Sequence, residues 1–170
     1  LGFITYTSFS NFPDHDIEQK ELRSYVSMGK KIPGVNLNVR DAISLIKNGA
    51  QTAKIIVEQE EFKGNSTNVI LDLPGEVEET IVLTAHYDTT PLSVGSYDNM
   101  SGSIALLGVA EKYAKAPHRY SLRFIWCGSE ERGLLGSKAY IAAHEEELSK
   151  VILNVNVDMI GSIMGEFLAC

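Results

Sequence analysis

The residues of this sequence whose types and spacing could do chemistry fall into four short clusters: His86-Tyr87-Asp88, Asp98-Asn99, Glu130-Glu131 and Asp158. One imidazole with several carboxylates and no thiolate is a ligand set that suits Zn²⁺, and also Mn²⁺ or Co²⁺. Acids packed together repel one another, and a divalent cation is their natural compensation. A carboxylate such as Asp98 can give one oxygen to each of two ions about 3.5–4 Å apart, as two-metal hydrolases require. Asp88, just beyond His86, is placed to accept the second imidazole N–H and fix the tautomer. The adjacent Glu130 and Glu131 cannot easily do one job together, so one base and one ligand is a sensible division. Singly, each cluster has a plainer explanation: a surface His–Asp pair, an N-cap aspartate, a solvated pair of glutamates, an aspartate in a turn. Their convergence is what points to metal.

The elements that must bring them together recur along the chain. Thr80 to Ala85 is an apolar run without alternation, the mark of a strand buried on both faces, and His86 follows it directly. Asp98-Asn99 precedes an apolar helix expected over Ser101 to Lys115. Tyr120 to Cys127 reads as a strand with Leu122, Phe124 and Trp126 on one face, and Glu130-Glu131 follows it after Gly128-Ser129. Leu134 to Leu148 reads as a helix, amphipathic towards Glu145-Glu146-Glu147. In the strand Val151 to Val157, Leu153, Val155 and Val157 alternate with Asn154 and Asn156, and Asp158 comes next. A further strand, Thr67 to Leu73, is turned by Pro74-Gly75. This alternation predicts an α/β fold with a largely parallel sheet. Three clusters then lie at carboxyl ends of strands and one at a helix N-terminus, all on the edge where open α/β sheets bind ligands.

The first part of the chain carries none of this chemistry. It reads as a strand at Phe3 to Thr7, a polar loop from Ser8 to Gln19, a short apolar stretch at Ile32 to Leu37, and a helix from Val39 to Lys47 capped by Asn38 and ended by Gly49. Ala53 to Glu60 alternates and is expected to be a strand. The cluster Lys63-Gly64-Asn65-Ser66 divides the chain into expected domains 1–63 and 64–170.

Bulk properties narrow the classes. A hydrophobic content of 44% with 22% charged residues over 170 residues is that of an ordinary globular protein. The net charge of −7 disfavours nucleic acid or an anionic membrane surface as the main partner. No apolar run approaches the roughly 18–20 residues of a membrane helix. Two cysteines, Cys127 and Cys170, make neither a disulfide framework nor a four-thiolate zinc site. The chain starts at Leu1 in what reads as mid-strand and shows no signal peptide, so a piece of a longer protein is expected.

The four clusters, in order, are His-Tyr-Asp-Thr, Ser-Tyr-Asp-Asn-Met-Ser-Gly, Cys-Gly-Ser-Glu-Glu-Arg-Gly-Leu-Leu-Gly-Ser and Asn-Val-Asp-Met-Ile-Gly. Together they resemble the signatures of two-zinc exopeptidases of the aminopeptidase S/aminopeptidase Y type, over about residues 66 to 165. The resemblance implies a three-layer sandwich around a mostly parallel sheet. It also implies hydrolysis that removes N-terminal residues from peptides. By the same resemblance, His86 and Asp158 hold one zinc, Glu131 helps to hold the other, and Asp98 bridges them. Glu130 would be the general base towards the attacking water, with Asp88 as its catalytic companion beside His86. The peptide bond between Asp98 and Asn99 would be cis. Ile-Pro-Gly-Val-Asn-Leu and the helix after it resemble the latter part of a small β-rich protease-associated domain, more usual in secreted or surface relatives.

That family's second zinc takes one more histidine, and His15, His118 and His144 sit in contexts that do not fit it. The 170-residue chain is therefore expected to bind metal weakly and to show little peptidase activity. An incomplete sheet would expose an edge strand and invite dimerisation. Two rivals share the fold. A glutaminyl cyclase would interrupt the stretch after the catalytic glutamate, which here runs unbroken from Glu130 to Ser137. A non-catalytic receptor-like relative would have eroded ligands, and here all matched positions are intact.

Overall fold

The computed structural model describes residues 2–6, 32, 34–37, 39–56, 60, 63–90 and 93–161. The chain divides into two compact units, Leu1–Lys63 and Gly64–Cys170. In the first, β1 (Phe3–Tyr6) and β2 (Gly34–Leu37) pair in parallel, and α1 (Val39–Lys47) follows. Gly49, at φ 65°, closes the helix by letting Gly49 N–H and Ala50 N–H reach back to the Ile46 and Leu45 carbonyls. The expected loop Ser8–Gln19 and the Asn38 cap lie outside the described residues.

The strand expected at Ala53 to Glu60 does not form over the described part, Ala53–Ile56. Alternation alone does not make a strand; a partner must accept its backbone bonds, and Ile56 here faces solvent.

The second unit is built on a four-stranded sheet of β3 (Val69–Leu73), β4 (Val77–His86), β5 (Tyr120–Cys127) and β6 (Val151–Asn156), in the order β3-β5-β4-β6. β5 and β6 both run parallel to β4, while β3 is antiparallel to β5. Between them lie α2 (Met100–Tyr113) and α3 (Leu135–Ala143). The absence of alternation in β4 has the expected cause, since both of its faces are covered. Ala85 packs with Leu122, Phe124, Leu106 and Ala110 on the α2 side. Val82 packs with Ile125, Cys127 and Tyr140 on the α3 side. Helix, sheet and helix make three layers.

One helix expectation is corrected. The helix expected over Leu134–Leu148 stops at Ala143, His144 leaves helical geometry at φ −125°, and Glu145–Lys150 forms a separate 3₁₀ turn. Three adjacent glutamates would meet the negative end of the helix dipole if the helix ran on; the break moves them into a first turn, where acids are favoured. The break also lets Glu147 reach Arg123. Among the described residues β6 is an edge strand, and its Ile152, Leu153 and Val155 are exposed. No helix among those residues is long and apolar enough to cross a membrane.

Candidate metal centre

Among the described residues, three polar side chains are buried, His86, Asn99 and Ser103, and all stand at the carboxyl end of the parallel strands. β4 delivers His86 at its last position. Ser103, on α2, donates its hydroxyl to the His86 carbonyl at 2.8 Å, and Trp126 Nε1 donates to the Ser103 carbonyl at 3.1 Å. The strand end is thus tied to the helix that covers it.

The His86 ring is fixed by a backbone group. Its Nδ1 lies 3.1 Å from the Asp88 carbonyl oxygen, which can only accept, so Nδ1 carries a proton and Nε2 is the nitrogen turned to the carboxylates. The Asp88 side chain was expected in that role, but its Oδ1 is 3.6 Å from Nδ1. It is occupied instead with the loop after β5, accepting the Glu130 N–H at 2.9 Å and the Glu131 N–H at 3.2 Å.

His86 Nε2 faces three carboxylates: Asp98 Oδ1 at 3.0 Å, Asp158 Oδ1 at 3.5 Å and Glu130 Oε2 at 4.0 Å. One donor atom each from His86, Asp98 and Asp158 lies within 4.8 Å of the others. Burial pushes the imidazole down, but Asp158, the Asp88 carbonyl, Glu130 and Asp98 outweigh it, so His86 holds a proton above its ordinary value. Glu131 is also raised, by burial first and then by the charges of Asp98 and Glu130. Its Oε1 is buried without a hydrogen-bond partner. Mutually repelling carboxylates, an imidazole nitrogen turned towards them and a buried orphan oxygen fit a divalent cation of the zinc type, and the residues present supply its N and O donors.

The loop carrying the two glutamates is tightly made. Glu130 O accepts from both Gly133 N and Leu134 N at 2.8 Å, and Leu134 is held at φ 61°. Asn68, beside β3, closes the loop by accepting Gly128 N–H at 3.1 Å and donating to Gly136 O at 2.8 Å. The Asp98–Asn99 peptide bond is cis, as the resemblance implied.

Of the other histidines, His118 bonds the Tyr120 carbonyl at the start of β5 and packs edge-on to Tyr113. His144 stacks on Tyr140 and bonds its carbonyl. His15 lies outside the described residues. Residue type and spacing pointed to every ligand candidate and to Asn99 as the neighbour of Asp98, but not to what Asn99 grips, nor to the supports Asn68 and Ser103. A serine in an apolar helix was the one visible signal among them.

Residues 68–169 match peptidase family M28. Aminopeptidase YwaD of Bacillus subtilis (strain 168) is 34% identical over 132 residues, 77% of this chain and 29% of that protein. Leucine aminopeptidase 2 of Trichophyton equinum is 37% identical over 144 residues, 84% of this chain and 25% of that protein. The chain therefore spans well under a third of these curated relatives. Among solved structures, BSAP, a zinc aminopeptidase from Bacillus subtilis, superposes with a TM-score of 0.66 at 28% identity, covering 94% of this chain and 38% of that one.

Proposed function

The chain belongs to peptidase family M28, and from that premise we propose that it carries the metal-holding part of a zinc aminopeptidase, which removes N-terminal residues from peptides. The observation that supports this most is the convergence of His86 Nε2 with Asp98 and Asp158 beside the Glu130 carboxylate. His86 and Asp158 would hold one cation, Glu131 would contribute to a second, and Asp98 would serve both. When bound, the metal supplies Lewis-acid polarisation and an acidified water. Glu130 would take a proton from that water and pass it to the leaving amine, and the Asp88 carboxylate, accepting the Glu130 and Glu131 N–H groups, anchors the loop that carries it. The surplus of carboxylates also favours a substrate with a free, protonated α-amine. The first unit is, in this reading, part of a protease-associated domain.

Among the described residues, His118 stands before the start of β5 and His144 past the end of α3, so neither lies at the carboxyl strand ends where the second position would be. This chain on its own is therefore expected to take zinc principally through His86, Asp98 and Asp158, with low turnover. Calorimetric titration with Zn²⁺ should show saturable binding that His86→Ala and Asp158→Ala each abolish. Heats unchanged by both substitutions would sink the reading, and so would full turnover of leucine-anilide after its N-terminus is acetylated.

A further inference from the structure

Asn99 is 1% exposed, and its amide is almost fully used. Oδ1 accepts two backbone N–H groups, from Gly102 at 3.0 Å and from Met159 at 3.1 Å. Nδ2 donates to the Val157 carbonyl at 2.9 Å. Only the oxygen can accept those two N–H groups, so the orientation of the amide is determined by its partners. Two of the three partners, Val157 and Met159, are the residues on either side of Asp158. The third, Gly102, lies in the first turn of α2, next to the segment that carries Asp98.

The last β6–β4 ladder contact is Val157 N–H to Thr84 O at 2.8 Å. Beyond it, the chain that positions Asp158 has left the sheet, and the Met159 N–H is satisfied by Asn99 alone among the described residues. The close approach is built in from the helix side as well. A Cβ on Gly102 would stand 2.4 Å from Val157 O and 2.5 Å from Asn99 Oδ1, so only glycine lets the helix meet this segment.

Resting on the zinc reading above, we infer that Asn99 is a positioning residue for the metal centre: one buried amide sets the distance between Asp98, which precedes it, and Asp158, whose neighbours it grips. The site is then held open in its binding geometry before any cation arrives. An asparagine kept only as a helix cap has a different profile. A cap needs one acceptor for Gly102 N–H, which serine also supplies; the grip on Val157 and Met159 needs the full length and the donor of the amide.

Asn99→Ser separates the two roles. Zinc affinity should fall about 10- to 100-fold, the range for losing a group that orients metal ligands. A core substitution away from the site, Leu106→Val, should lower stability while leaving zinc affinity within about twofold. Binding by Asn99→Ser equal to the unaltered protein would overturn the inference, and failure of the unaltered protein to bind zinc would instead overturn the functional reading. Should Asn99→Ser not fold, hydrogen exchange on the unaltered, metal-free protein decides. The Met159 amide is expected to exchange at least ~100-fold more slowly than an unstructured amide. Free exchange at Met159 would show that no grip exists.

Discussion

The carboxylate of Asp88 accepts the backbone N–H of Glu130 at 2.9 Å, so the loop after β4 fixes the loop after β5. The neighbouring Glu131 N–H shares the same carboxylate at 3.2 Å, which makes Asp88 the anchor for both glutamates. Asp88→Ala should leave two amides unpaired, costing about 1–3 kcal/mol in urea denaturation. On the proposed assignment, the same change should weaken the second zinc-binding event about 10-fold or more by loosening Glu131. Asp88→Asn, which keeps one acceptor, should fall between. Unchanged stability and binding in Asp88→Ala would mean the anchor is dispensable.

The division of labour between the adjacent glutamates can be read without turnover. On the proposed assignment, Glu131→Gln should weaken the second of two zinc-binding events, because its buried, unpartnered Oε1 is the oxygen that would reach that cation. Glu130→Gln should change affinity within about threefold, since a general base is not a ligand. Titration of both variants by calorimetry tests this. The reverse ranking would exchange their roles.

Arg123 ties three elements together on the α3 side of the sheet. It makes a two-pronged pair with Asp72 on β3, at 2.6 and 3.0 Å, and also donates to Tyr140 OH and Glu147. The guanidinium is held well above its ordinary value, first by Asp72 and, against burial, by Tyr140 and Glu147. Arg123→Met should destabilise the protein by about 1–3 kcal/mol, with the partly exposed acids recovering some solvation. Arg123→Lys should not restore it, because an ammonium cannot span the same fork. Full recovery by lysine in thermal denaturation would reduce the cluster to a simple charge effect.

Burial, with Asp88 and Glu130 nearby, pushes the Cys127 thiol above its ordinary value of 9.0. Below that value both folded and unfolded chains keep the proton, so the thiol adds no pH dependence. Above it the unfolded chain ionises first, and stability falls as pH rises until the folded thiol ionises too. With Cys170→Ser to leave one thiol, alkylation of the native protein at pH 8.5 should be far slower than in urea. Comparable rates in the two states would show that Cys127 is accessible.

Much of this was legible in the sequence. β5 was read with its observed ends, Tyr120 and Cys127, because turn residues flank a dense apolar run. The positions of His86, Asp98, Glu130, Glu131 and Asp158 followed from strand ends and a helix start, which are local signals. What escaped depends on distant partners. That Asp88 offers its carbonyl to His86 and its carboxylate to another loop is decided by where β5 ends in space. Asn99 and Asn68 look like ordinary turn residues until the backbone groups they grip are known. The end of α3 was misread because apolar periodicity runs past Ala143, whereas the pull of Arg123 on Glu147 comes from β5.

The strand order has a consequence for how the protein is made. β4 emerges before β5 and β6 and then lies between them. A nascent chain can dock β5 on one flank soon after it appears, placing His86 and the two glutamates, since N-terminal parts fold first during synthesis. Asp158 arrives only with β6, on the opposite flank. Completion of the His86–Asp98–Asp158 cluster is thereby deferred until β6 has been made, and a ribosome paused between Cys127 and Val151 would display β3, β4 and β5 without Asp158.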